Sequence, residues 1–276
     1  MRTHNIRGGN GISLHVREWG NASGIPILLI HGWSQNHLCW MKQYESDLAR
    51  DFRLVALDLR GHGMSEAPHQ SDQYTHGDAW ADDIAAIIAE LDLDKPILVG
   101  WSYGGFIISD YVRKHGQHGI AGINFVAAAV VLGAKAFGPL IGPGFLENAP
   151  GACQADVPTN IAAIRSFLRA CIVKPISQED FETFLAFNMI VDPRVRAFLT
   201  QRDLDFAPVL RGLALPVRVT HGRADTVVLP AMADYILQHC NKAEASWFED
   251  VGHAPFLEGA ERFNDELASF AKVARA

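Results

Sequence analysis

A serine set between glycines at the end of an apolar run is the first feature of this chain that could do chemistry. Residues 98–106 read LVGWSYGGF, and Gly100-Trp101-Ser102-Tyr103-Gly104 fits the pattern Gly-x-Ser-x-Gly. About one chain in ten of this composition carries that pattern by chance, so it needs partners before it means anything. A serine hydroxyl attacks a carbonyl only when a base takes its proton, which calls for a histidine and a carboxylate to orient it. Asp225, in HGRADTVV, and His253, in FEDVGHAPF, supply both residue types. In those roles Ser102 attacks, His253 accepts and returns the proton, and Asp225 fixes the imidazole.

The elements around them have to place three side chains at one edge of a sheet. PILLI (26–30), RLVAL (53–57), PILVG (96–100) and PVRVT (216–220) read as buried strands, INFVAAA (123–129) as another, and ISLHVREWG (12–20) alternates like a half-exposed one. Helical patterns lie between them. DAWADDIAAIIAEL puts Trp80, Ile84, Ile87, Ile88 and Leu91 on one face, and the chain after Pro255 repeats the stripe with Phe263, Leu267 and Phe270. This alternation predicts crossover units and a mainly parallel sheet. PILVG followed by YGGFIISDYVRKHG gives Ser102 the strand, sharp turn and helix that a nucleophile elbow requires. Asp225 then falls in the loop after one strand, and His253 in the last loop before the final helix.

Between about Gly133 and Ala207 the strand series stops. LGAKAFGPLIGPGFLENAPG is rich in glycine and proline, and helices are expected from near Thr159, Ser177 and Pro193. The division read from this is a core of residues 1–132 and 208–276 with a helical cap at 133–207. Cap aromatics exceed what three short helices bury among themselves, so Phe137, Leu140, Phe145 and Phe187, with Trp33 and Trp101 from the core, are the expected substrate-pocket residues. The same apolar surface leaves a homodimer face open.

Composition excludes several classes. Hydrophobic residues make up 49% and charged ones 20%, which is globular, and a net charge of −7 without single-sign runs argues against a nucleic-acid partner. Cys39, Cys153, Cys171 and Cys240 are too scattered for a metal knuckle or a disulfide framework and read as free thiols. No stretch is long and apolar enough for a membrane span, and no signal-like segment opens the sequence, so a cytoplasmic location is expected. Neither a metal nor a cofactor is expected.

With these motifs in order, the chain resembles the α/β-hydrolase superfamily along essentially its whole length. The likeness rests on IHGW (30–33), DLRGHGMS (58–65), GWSYGG (100–105), HGRAD (221–225) and GHAPF (252–256). It implies a mostly parallel eight-stranded sheet flanked by helices, with an inserted helical cap. The order Ser102, Asp225, His253 is the one that this superfamily uses. The resemblance also implies an oxyanion hole made by the backbone N–H groups of Tyr103 and Trp33. His31 and His62 read as loop-organising residues.

Within the superfamily the features are similar to carboxylesterases, arylesterases and cofactor-free haloperoxidases. The expected activity is hydrolysis of small or medium apolar carboxylic esters through an acyl-enzyme, with a small-molecule ester as the partner. The alternatives are perhydrolysis, lactone, carbon–carbon or amide hydrolysis on the same triad, or a ligand-binding member without turnover.

Overall fold

A computed structural model describes all residues, Met1–Ala276. Eight strands form one sheet in the order β1-β2-β4-β3-β5-β6-β9-β10. They are β1 (Arg2–Arg7), β2 (Ser13–Gly20), β3 (Pro26–Ile30), β4 (Arg53–Leu57), β5 (Ile97–Trp101), β6 (Gly122–Val126), β9 (Val217–Gly222) and β10 (Ala243–Phe248). The two remaining strands, β7 (Val131–Leu132) and β8 (Leu204–Asp205), pair with each other outside it. Within the eight-stranded sheet only β1 with β2 and β2 with β4 run antiparallel; β4, β3, β5, β6, β9 and β10 are parallel neighbours. The expected eight-stranded, mostly parallel sheet is present.

The sequence pattern explains the layering. Every residue of β3, β5 and β6 is buried, as befits parallel strands covered by helices on both faces, while β2 alternates buried and half-buried positions. Trp80, Ile84 and Ile87 of the Gly77–Glu90 helix are fully buried against this sheet. Strand β1 was not foreseen. It buries only Ile6, so it offers no apolar period to read.

The chain leaves the sheet after β6, passes through β7, and returns through β8 before β9. Because β7 and β8 pair antiparallel, the outgoing and returning segments are joined at their base. Between them lie helices Val157–Ala170, Gln178–Met189 and Pro193–Leu199, close to the three expected starts. Each has the cap its sequence suggests: Asp156 accepts from Thr159 N, Ser177 from Asp180 N, and Asp192 from Arg194 N. Shorter helices at Pro143–Leu146 and Ala149–Ala152 come from the glycine- and proline-rich stretch.

Candidate active site

Ser102 sits at the junction of β5 and the Gly104–His115 helix with φ 54°, a left-handed conformation that a non-glycine residue adopts only when its surroundings impose it. Those surroundings are hydrogen bonds: Ser102 N–H donates to Val126 O, and its carbonyl accepts from Gly105 and Ala129 N–H. The glycines of the motif are sterically required. A Cβ at Gly100 would stand 2.7 Å from the Gly104 carbonyl oxygen and 2.6 Å from Ile108 Cδ1. The sharp turn between strand and helix therefore exists because nothing larger than hydrogen fits beneath it.

Asp225 and His253 come from loops at the carboxyl ends of β9 and β10. His253 Nδ1 and Asp225 Oδ2 are 2.7 Å apart, both side chains essentially without solvent contact. Asp225 Oδ1 accepts from Val227 N and Val228 N, and His221 Nε2 lies 3.2 Å from Oδ2. Burial alone would raise the Asp225 carboxyl, but the His253 charge and hydrogen bonds from His221 and His253 overcome it and hold the group down at about 2. An ionised Asp225 makes His253 Nδ1 the protonated nitrogen and leaves Nε2 as a base. That Nε2 atom is buried and has no protein partner. The Trp101 indole N–H donates to the His253 carbonyl (2.8 Å), which ties the histidine loop to the residue before Ser102.

A second loop approaches Ser102 from β3. A Cβ on Gly32 would lie 3.0 Å from Ser102 Cβ, so the backbone passes directly over the serine. The next N–H, of Trp33, and that of Tyr103 donate to no protein acceptor. Two donors left free beside a serine suit a developing negative oxygen. His31 and His62 build this loop from below. His31 Nδ1 donates to Gly32 O while Nε2 accepts from Leu59 N, and His62 Nδ1 donates to Arg60 O while Nε2 accepts from Ser34 N. Burial drives their pKa down, to about 3 for His31 and about 4 for His62, so both are neutral acceptors.

A cavity of about 30 Å³ is lined by Ser102 and twelve other residues, and eleven of the thirteen are hydrophobic. Trp33, Phe145 and Phe167 meet edge to face within 6.3 Å and form one wall. Of the six pocket residues expected from sequence, Trp33 and Phe145 line this cavity. The other four lie elsewhere. Phe137 is 40% exposed, and Leu140, whose carbonyl accepts from Leu229 N, does not line the cavity although its neighbour Ile141 does. Phe187 is spent on packing against Phe184, and Trp101 packs on Phe256 beneath the histidine loop and lines a separate small cavity. The remaining wall includes Phe106, Ile141, Leu199, Val227 and Val228, none of which had been named. Two of these had a readable signal: Phe106 is one helical turn past Ser102, and Val227 follows Asp225 by two.

The four cysteines are unpaired, with Cys39, Cys171 and Cys240 buried. One cluster, His15, His37 and Asp58, brings three potential ligand atoms within 4.8 Å. Asp58 Oδ1 already accepts from both the His37 ring and the His37 backbone, which accounts for the arrangement without an ion. No helix is long and apolar enough to cross a membrane.

Comparison with known proteins agrees with this fold. A family model described as alpha/beta hydrolase fold matches residues 25–260. The crystal structure of an esterase, RhEst1 from Rhodococcus sp. ECU1013, superposes with a TM-score of 0.93 at 35% identity, covering 99% of both chains. An AB hydrolase superfamily protein, YisY of Bacillus subtilis (strain 168), is 28% identical over 97% of this chain and 98% of its own. A non-heme haloperoxidase of Rhodococcus erythropolis is 26% identical over 96% and 98% of the two chains.

Proposed function

The chain belongs to the alpha/beta hydrolase fold family, and from that premise we propose that it is a serine hydrolase cleaving small apolar carboxylic esters. The observation that carries the reading is the buried Asp225–His253 pair, with Nε2 free, tethered through Trp101 to a strained Ser102 that faces an apolar cavity. Ser102 Oγ attacks the ester carbonyl as His253 Nε2 takes its proton. The carbonyl oxygen becomes an oxyanion held by the Trp33 and Tyr103 N–H groups, and protonated His253 hands the proton to the departing alcohol. Water then repeats the sequence on the acyl-enzyme and releases the acid.

The lining supports an apolar acyl group. Thr200 is the one polar side chain beside Ser102 in the cavity, and its hydroxyl donates to Ala197 O, while the Tyr103 hydroxyl donates to Leu199 O. With both hydroxyl protons so engaged, a further substrate carbonyl placed there would go unpaired at a cost of about 1–3 kcal/mol. The 133–207 segment, which contributes Phe145, Phe167 and Leu199, acts in this reading as the cap that closes the acyl site.

The test is turnover across p-nitrophenyl esters of graded acyl length, together with Ser102→Ala. Acetate and butyrate should be hydrolysed, long-chain esters poorly, and the variant should lose both turnover and covalent labelling by a fluorophosphonate. Undiminished turnover by Ser102→Ala would sink the assignment. The haloperoxidase relative motivates a second reading, in which hydrogen peroxide instead of water intercepts the acyl-enzyme to give a peracid. Peroxide-dependent oxidation that needs both a carboxylic acid and Ser102 would identify that reaction.

A further inference from the structure

Three consecutive residues of the loop that carries the Trp33 N–H are held by the 133–207 segment. The Trp33 indole N–H donates to the Arg196 carbonyl (3.1 Å), Arg196 Nε donates to Ser34 Oγ (2.8 Å), and the Gln35 and Asn188 amides exchange hydrogen bonds at 3.3 Å. Ser34 stands at φ 64°, so it too is forced into a left-handed conformation. Its backbone N–H is fixed by His62 and its hydroxyl by Arg196, which holds Ser34 inside the turn that Gln35 N–H closes on the Gly32 carbonyl, the carbonyl of the peptide that carries the Trp33 N–H.

Arg196 is completely buried, yet each of its hydrogen bonds goes to a neutral oxygen: Ser34 Oγ, Ala152 O, Asn160 Oδ1 and Asn188 O. Burial lowers its pKa to about 10, so it remains a cation at neutral pH. An apolar side chain would fill such a site at lower desolvation cost, so a buried guanidinium here points to what its fork holds in place. Its acceptors on three other helices of the segment, Ala149–Ala152, Val157–Ala170 and Gln178–Met189, meet the oxyanion loop at this one group.

We propose that Arg196 is a positioning residue for ester hydrolysis: it locks Ser34, and through it the Trp33 N–H, so that the oxyanion hole is complete only when the 133–207 helices are seated on the core. The inference rests on the serine-hydrolase reading above. Seating the helices over a bound acyl group and completing the hole become one event, which confines full catalytic power to substrates that fit beneath them.

The experiment uses the full chain with p-nitrophenyl butyrate and compares Arg196→Gln, Arg196→Lys, Ser34→Ala and the Ser34→Ala/Arg196→Gln double variant. Loss of one oxyanion donor costs about 10²–10³ in kcat, so a misaimed donor in Arg196→Gln should cost about 10–100-fold, with KM within about twofold. Arg196→Lys, which keeps a donor toward Ser34, should recover part of that loss. The double variant should be no slower than Arg196→Gln, because both changes break one connection. A rise in KM with kcat preserved, or losses that multiply in the double variant, would overturn the proposal. Should Arg196→Gln fail to fold, Ser34→Ala decides alone, since it deletes a single oxygen: a wild-type kcat refutes the coupling, and a several-fold lower kcat at an unchanged urea midpoint supports it. Fluorophosphonate labelling of the wild type separates the two readings. An unlabelled Ser102 means that the hydrolase reading fails, whatever the Arg196 variants do.

Discussion

At Ser102 the backbone strain, of order 1–3 kcal/mol, is borne by bonds to Val126, Gly105 and Ala129, so exchanging the side chain should leave the turn standing. In the proposed mechanism catalysis depends more finely on Asp225. Asp225→Asn keeps the shape but offers His253 Nδ1 the wrong partner, and turnover should fall about 10³–10⁴-fold in initial-rate assays while the urea midpoint moves far less. The carboxylate's pKa lies below its unfolded value, so its stabilising contribution is present above the unfolded pKa of 3.8 and is lost as pH falls toward about 2. Activity lost above pH 4 therefore reports some group other than Asp225.

Among the elements, the β3 loop and the elbow meet with no spare room. Gly32→Ala would push a Cβ to 3.0 Å from Ser102 Cβ and 3.3 Å from the Trp101 carbonyl, shifting the Trp33 N–H relative to the serine. We expect kcat to drop tenfold or more with a change in Tm of only a few degrees, since displacements on the order of 1 Å at a catalytic centre cost about 10². On the helices over the cavity, Phe145 bears on substrate size where Arg196 bears on rate. Phe145→Ala removes one of three interlocked rings and should move the acyl-length optimum upward in the p-nitrophenyl ester series, with acetate turnover reduced. An unchanged chain-length profile would show that Phe145 does not bound the acyl site.

For the whole molecule, stability should depend on pH through buried neutral histidines. His31 and His62 titrate at about 3 and about 4 in the fold, against 6.5 when unfolded. Below 6.5 the unfolded chain binds protons that the folded one refuses, so stability is complete above that pH and declines as pH falls toward about 4. The slope is about 1.4 kcal/mol per unit for each group. Urea midpoints should therefore hold from pH 7.5 to about 6.5 and decrease from there to pH 4.5, and a flat profile throughout would contradict neutral burial of both rings.

What the sequence by itself determined was local or ordered along the chain. Apolar runs marked β3, β4, β5 and β9, glycines marked the elbow, capping residues marked three helices in 133–207, and five motifs in sequence marked the family. Only the tertiary structure decided which side chains share a cavity. Phe145 reaches Ser102 while Phe137 and Phe187 do not, because one faces the core, one meets solvent and one packs on its own helix neighbour. Arg196 lies 162 residues from Ser34 and carries no motif, so its bond to the loop after β3 had no local signal. Periodicity reports which face of an element is buried; it cannot report what lies opposite, since that depends on how separate elements pack.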